Sequence, residues 1–369
     1  MASIKVCREC GVPFMISKHL KWEDNGAIIQ TGKQPIRMSF FDFDRIDGIF
    51  NGVSELIGVP LGHVTTETAG RNARQYVDSL LPSPLRRVLR RVGFRQVVAY
   101  LCDLGRAYGY GSIRPLELRW RNKGDYELRF QVSHPHSLAI ICGNILGAVE
   151  SIEGRDAVSQ VRRVGENDYE VAIRFGSHRV ELQGRLQERR YVYRPGRIEY
   201  ERCPACRVPL ELAAFRWDLE KGTITHPRTG ERVAFFTPWG LDAWLDELEA
   251  ELGGAIPEMV VETQRLYARD RLKHVTGWRE IEALFHGLAV RGLGNLASLE
   301  LDEDHLELTM ENSCMESMLA GTAQGLYELA SGRERSTCAW SVTPDDVLTV
   351  RVTASSPREK AVQDEVQHG

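Results

Sequence analysis

The sequence lacks a long apolar run, an excess of charge, a cysteine framework and the common catalytic signatures, and each absence removes a class of protein. The longest apolar stretch, residues 138–149, is shorter than the roughly 18 residues of a membrane span and holds Asn144. Lys and Arg number 47 against 51 Asp and Glu, a net charge of −4. That balance suits neither a polyanion-coating protein nor general attraction to membranes, so nucleic acid is not an expected partner. The N-terminal MASIKVCREC has no basic stretch followed by an apolar core, so no secretion signal is read and a cytoplasmic location is expected. Eight cysteines in 369 residues are too few for a disulfide scaffold. No Ser-His-Asp order, Walker loop, HExxH or dinucleotide fingerprint is present. Nothing compels an enzyme, and no catalytic residue is assigned.

What is present is ordinary globular chemistry, 43% hydrophobic and 27% charged, and a chain that reads as if written twice. Cys7-Arg-Glu-Cys10-Gly-Val-Pro13 reappears as Cys203-Pro-Ala-Cys206-Arg-Val-Pro209. Trp22 and Gly26 match Trp217 and Gly222, and Glu67-Thr68…Arg74 matches Glu262-Thr263…Arg269. Gly109-x-Gly111 matches Gly292-x-Gly294; Gly143, Gly147, Glu150 and Gly154 match Gly321, Gly325, Glu328 and Gly332. These matches are collinear over the full length. The first copy is the longer, partly through the insert PSPLRRVLRR.

Each copy carries the same signals in the same order. After the CxxC comes a strand pair turning at Asn25-Gly26 or Lys221-Gly222. Helices follow at 42–57 and 238–252, then beyond Pro60 and Pro257, then at 94–108 and 278–290, the last stopping at the G-x-G. An alternating hairpin comes next, with turns at 122–125 and 302–304. A helix capped near Ser133 or Asn312 and a final hairpin at 161–175 or 339–352 close the unit. The expected fold class is α+β: two tandem homologous domains, each with helices packed on an antiparallel sheet. The domains are read as 1–184 and 201–354, each with a CxxC knuckle, joined by an Arg-rich linker at 185–200. A disordered tail is expected at 355–369.

The run Gly109-Tyr-Gly111, a hairpin, Ser133-His-Pro-His-Ser137 and Cys142-Gly143…Gly147, preceded by Phe41-Asp-Phe-Asp to Tyr76-Val-Asp-Ser-Leu80, resembles the 4-vinyl-reductase-like family. Its members are small hydrocarbon-binding domains of bacteria and archaea. The resemblance covers about 40–178 and, less clearly, 235–354. It implies a mixed helix–sheet fold around an apolar pocket, and a sensor or carrier of a small hydrophobic molecule. Distant relatives of that family include Golgi transport-particle subunits and haem-based nitric-oxide sensors. A cysteine-rich segment common in the family is missing after Gly154 and Gly332, and no ATPase or DNA-binding output region is attached, so direct activation of transcription is not expected.

Four groups of residues are candidates for chemistry. Each CxxC supplies half of a tetrahedral four-thiolate site. Neither has a second CxxC within the roughly 15 to 20 residues of a local two-knuckle site, so Cys7, Cys10, Cys203 and Cys206 are expected to share one structural Zn2+. Cysteines that hold no metal are the second reading, and a redox pair is the weakest, because the strand–CxxC–helix context is absent. The ligand pocket is placed on Val97, Val98, Leu101, Leu118 and Trp120 of the first copy, with His136 and Cys142 as further contacts. Arg86, Arg87, Arg90 and Arg91 line one face of an amphipathic helix, opposite Leu85, Val88, Leu89 and Val92; this face is a candidate protein-partner surface or a solvated helix docked on its own domain. Glu67 and Glu262 are expected to pair with Arg74 and Arg269. The leading reading is a non-catalytic cytoplasmic sensor or carrier, a pseudo-dimer within one chain that could pair with a second copy. The alternatives are an interaction scaffold with filled pockets and an accessory subunit of a reductase.

Overall fold

The computed structural model describes residues 4–32, 35–58, 60–118, 127–176, 191–275 and 277–354, without the side chains at 43–45, 83, 90–92 and 251–252. Trp120, the turn at 122–125, the linker's residues 185–190 and the tail therefore lie outside the described residues. The first half runs α1 (Phe14–His19), β1 (Leu20–Trp22), β2 (Ile28–Gln30), β3 (Ile36–Asp42), α2 (Phe43–Ile57), α3 (Gly62–Leu80), α4 (Ser83–Val92), α5 (Phe94–Tyr108), β4 (Ser112–Leu118), β5 (Glu127–Ser133), α6 (Leu138–Glu153), β6 (Ala157–Arg163) and β7 (Asp168–Phe175). The second half, after a 3-10 turn at 210–214, runs β8 (Arg216–Asp218), β9 (Thr223–Thr225), β10 (Arg232–Phe236), α7 (Pro238–Leu252), α8 (Ile256–Arg271), α9 (Trp278–Gly287), β11 (Asn295–Leu301), β12 (His305–Glu311), α10 (Glu316–Ser331), β13 (Ser336–Val342) and β14 (Leu348–Ala354). The fold is α+β, with ten helices among the described residues packed on three antiparallel sheets.

Two of those sheets have one plan. Strand order is β4-β5-β7-β6 in the first half and β11-β12-β14-β13 in the second. Alternation of apolar and polar residues sets the buried face: Leu128, Phe130 and Val132 point inward from β5, as Leu306, Leu308 and Met310 do from β12. Against each sheet lies a helix whose glycines admit another helix backbone. A Cβ on Gly147 of α6 would sit 1.8 Å from the Gly70 carbonyl oxygen of α3; one on Gly325 of α10 would sit 2.6 Å from that of Arg265 on α8. Both helices end on a glycine in the left-handed region, Gly154 at φ 66° and Gly332 at φ 67°. The N-caps are Ser137 and Met315 rather than Ser133 and Asn312. Ser133 still belongs to β5, and the Asn312 side chain is taken by the chain segment that follows the first half.

The third sheet joins the halves. Its order is β1-β2-β3-β10-β9-β8, and β3 meets β10 with Phe40 opposite Phe235, their rings stacked 4.5 Å apart. Helices cross over as well. Phe41, Ile46, Ile49, Val53 and Leu61 belong to the same hydrophobic core as Trp244, Val260, Phe285 and Leu308, because α2 packs on α8 while α7 packs on α3. The sequential division at 184–201 thus orders the chain without bounding the packing units. The linker's described part, residues 191–200, is pinned to both halves. The Tyr191 hydroxyl donates to Asp242 at 2.8 Å, Arg194 N to Asn312 Oδ1 at 2.7 Å and Ile198 N to the Asp24 carbonyl at 2.8 Å. Among the described residues no helix is long and apolar enough to cross a membrane.

Candidate metal centre and ligand cavity

The two knuckles are built alike. Cys7 N donates to Val12 O and Cys203 N to Val208 O, each at 2.9 Å, closing a tight turn that aims both thiols of a CxxC one way. Pairing of β3 with β10 brings the turns face to face. The four sulfurs lie within 4.8 Å of one another, with Cys7 Sγ 3.8 Å from Cys203 Sγ and Cys10 Sγ 3.4 Å from Cys206 Sγ. A tetrahedral ion with thiolate bonds of about 2.3 Å needs sulfurs about 3.8 Å apart, so the group can hold one metal ion. N–H groups of Cys206 and Ala205 point at Cys203 and lower its thiol to about 7, whereas burial raises Cys10 and Cys206. Hydrogen bonding thus makes Cys203 more readily deprotonated than Cys10 or Cys206.

Around this centre the repeated residues meet each other across the halves. Gly111 N donates to Gly222 O at 2.8 Å and Gly294 N to Gly26 O at 3.3 Å. A Cβ on Gly222 would fall 2.3 Å from Gly111 O, so the glycines are needed for backbone contact. Two arginines absent from the sequence reading lock the same seam. Arg37, buried on β3, donates to the carbonyls of Ser313 at 3.1 Å and Gly292 at 3.2 Å, and to that of Asn312. Arg232 of β10 donates to those of Pro135 at 2.9 Å and Gly109 at 3.5 Å, and to that of His134. The signal was legible as a second repeat, Arg37-x-x-Phe40-Phe41 and Arg232-x-x-Phe235-Phe236.

A cavity of about 150 Å³ lies in the first half, between α3, α5 and α6 and the sheet below. Its apolar wall includes Val98, Leu101, Phe130, Ile145 and Val149, and none of its lining residues is Asp, Glu, Lys, Arg or His. Tyr76 and Tyr108 also line it; their hydroxyls donate to Gln30 Oε1 at 2.6 and 3.4 Å, tying the wall to the N-terminal sheet. A second chamber of about 80 Å³ at the seam shares Asn72, Tyr110, Asn144 and Thr237 with the first.

The structure distributes the sequence-derived pocket residues unevenly. Leu101 lines the main cavity. Val97 and Leu118 pack on the same core without lining it, and Cys142 is buried on α6 away from both chambers. His136 lines the smaller chamber, stacked 4.7 Å from Tyr110 with Nδ1 3.2 Å from the Tyr110 carbonyl; burial lowers it to about 3, so it is neutral. Met38, Asn72, Tyr76, Tyr108 and Thr237 were not anticipated: Met38 and Thr237 reach the cavity through the strands that join the halves, whereas Asn72, Tyr76 and Tyr108 line it from α3 and α5.

Of the arginine helix, Arg86 is turned inward, donating to Ser151 O and Oγ at 3.3 and 2.9 Å and pairing with Asp78. Arg87 lines a hollow beside it, and the Arg90 and Arg91 side chains lie outside the described residues. Leu89 packs on the core, while Leu85 and Val88 stay exposed. The pairing expected for Glu67 and Glu262 is corrected. Arg74 pairs with Glu150 and Asp156, Arg269 with Glu328, and Glu262 with Arg265. The helix crossing at the glycines carries Glu150 and Glu328 to those arginines.

The chain matches no protein-family model, no curated protein and no solved structure.

Proposed function

We propose that this protein is a non-catalytic sensor or carrier that holds a small, neutral, apolar molecule in its first half. One structural zinc, shared by the two knuckles of a tandem duplication, would brace it. The observation that carries this reading is the uncharged 150 Å³ cavity. A dry engineered cavity of that size lined by apolar side chains admits benzene, which sets the scale of the guest. Support for a binding role also comes from the corresponding places in the second half. There Phe285 stands where Leu101 does and Tyr327 where Val149 does, both fully buried. Zinc is the metal chosen because four thiolates at tetrahedral spacing favour a soft, four-coordinate ion. Such a site adds its binding energy to folding and would staple the hairpins that carry Gln30 and Met38 to the cavity wall.

Native mass spectrometry of freshly purified protein, before and after mild denaturation, tests both parts. The expected result is an excess mass of one zinc per chain plus one small organic molecule released on denaturation. Protein that carries zinc but neither holds nor takes up a small apolar compound overturns the binding reading. Two metals per chain overturn the shared site.

A further inference from the structure

The smaller chamber at the seam of the halves has a mainly apolar wall interrupted by uncharged polar side chains, and not all of its polar atoms are hydrogen-bonded. Thr68 Oγ1 already donates to Glu247 and His136 faces the Tyr110 carbonyl. Trp244 and Asn72 bring further polar atoms to the residues that line it. Trp244 is 1% exposed, its ring packed 4.5 Å from that of Phe50, and its indole Nε1 has no hydrogen-bond partner among the described residues. Oδ1 of Asn72 is likewise buried without a partner, and Asn72 belongs to the wall shared with the apolar cavity. A buried N–H left unpaired is costly, so positions of this kind mark places where a partner group belongs.

We propose that the seam chamber is a polar subsite of the ligand site: it takes one neutral oxygen-bearing group, a carbonyl or hydroxyl, whose oxygen accepts from Trp244 Nε1 beside Asn72. The apolar body of the same molecule occupies the larger cavity. This assignment rests on the binding reading above and narrows it from any apolar molecule to a single ring or short chain with one uncharged oxygen substituent. It excludes carboxylates and amines, because neither chamber offers a charged partner. It also gives the interlocked halves a part in recognition, since Trp244 comes from α7 and Asn72 from α3.

Ethylbenzene and acetophenone share a skeleton and differ by one carbonyl oxygen, so they serve as the probe pair. Calorimetric titration of the wild type and of Trp244→Phe, which keeps the ring and removes the N–H, reads the contact directly. The expected result is that Trp244→Phe weakens acetophenone about five- to ten-fold and leaves ethylbenzene within about two-fold. In the wild type the Trp244 indole N–H resonance should move on adding acetophenone and stay on adding ethylbenzene, a readout independent of how the variant folds. Equal losses for both probes, or no loss for either, overturn the polar subsite while leaving the apolar cavity standing; resident water serving these two groups would give that result. If neither probe binds the wild type, the cavity reading falls and this assignment with it.

Discussion

The two halves make the same contacts yet differ in what they enclose. In each, an arginine on the helix after the crossover meets a glutamate on the glycine-bearing helix, Arg74 with Glu150 at 3.7 Å and Arg269 with Glu328 at 3.0 Å. In each, a four-stranded sheet of one order lies beneath. The first half has Leu101 and Val149 where the second has Phe285 and Tyr327, and it has Tyr76 where the second has Arg271. An open 150 Å³ forgoes about 3 to 4 kcal/mol of packing. The second half demonstrates that the scaffold accepts larger side chains at these places. Larger side chains at these places in the second half, and a cavity at them in the first, are the contrast that the proposed binding role would explain.

Several changes would break or sharpen this comparison, and the largest concerns the feature the halves share. Cys7→Ser and Cys203→Ser should each take metal content from one per chain to zero and lower unfolding free energy by about 4 kcal/mol or more, read by elemental analysis and denaturant melts. Retention of metal in either variant would mean the knuckles act separately. Next, Arg37→Met should cost about 3 kcal/mol and Arg232→Met about 2, because Arg37 is the more deeply buried and both leave carbonyls unpaired.

A third difference concerns pH. His136 stands where the second half has Cys314, and burial depresses it to about 3 from its ordinary 6.5. The unfolded chain therefore binds the proton first. The stability His136 confers is complete above pH 6.5 and is lost as pH falls toward 3. Unfolding free energy should drop by about 2 kcal/mol between pH 7 and 5, and His136→Gln should flatten that slope. Opening the second core with Phe285→Leu should cost about 1.5 kcal/mol in a thermal melt. Smallest of all, Leu101→Phe, which gives the first half the second half's residue, should change stability by no more than about 1 kcal/mol in either direction.

Much of each half was legible because local chemistry writes it. The alternation of Leu128, Phe130 and Val132 declares a strand with one buried face, and Gly154 and Gly332 declare helix ends. The four cysteines were legible as one group because each CxxC is half of a tetrahedral set. What could not be read was which surfaces meet. Gly26 and Gly294 are conspicuous as repeated glycines, but spacing along the chain does not say that one presses on the other from the opposite half. Strands β3 and β10 went unseen: residues 233–236 of β10 run Val-Ala-Phe-Phe without alternation, and in β3 Arg37 and Ser39 alternate with Ile36, Met38 and Phe40 but are buried as well, so neither strand has a solvated face. Their pairing, in turn, decides that Met38 and Thr237 reach a cavity otherwise made by α3, α5 and α6. Val97 and Cys142 lie on the expected helices, but their side chains face packed core.

The most direct test of the central claim is the thermal shift given by ethylbenzene to the wild type, Leu101→Phe and Phe285→Leu. A ligand that binds only the folded chain raises the melting temperature in proportion to its saturation. The account predicts a saturable rise for the wild type and for Phe285→Leu, and none for Leu101→Phe. No rise in the wild type, or an undiminished rise in Leu101→Phe, would contradict it.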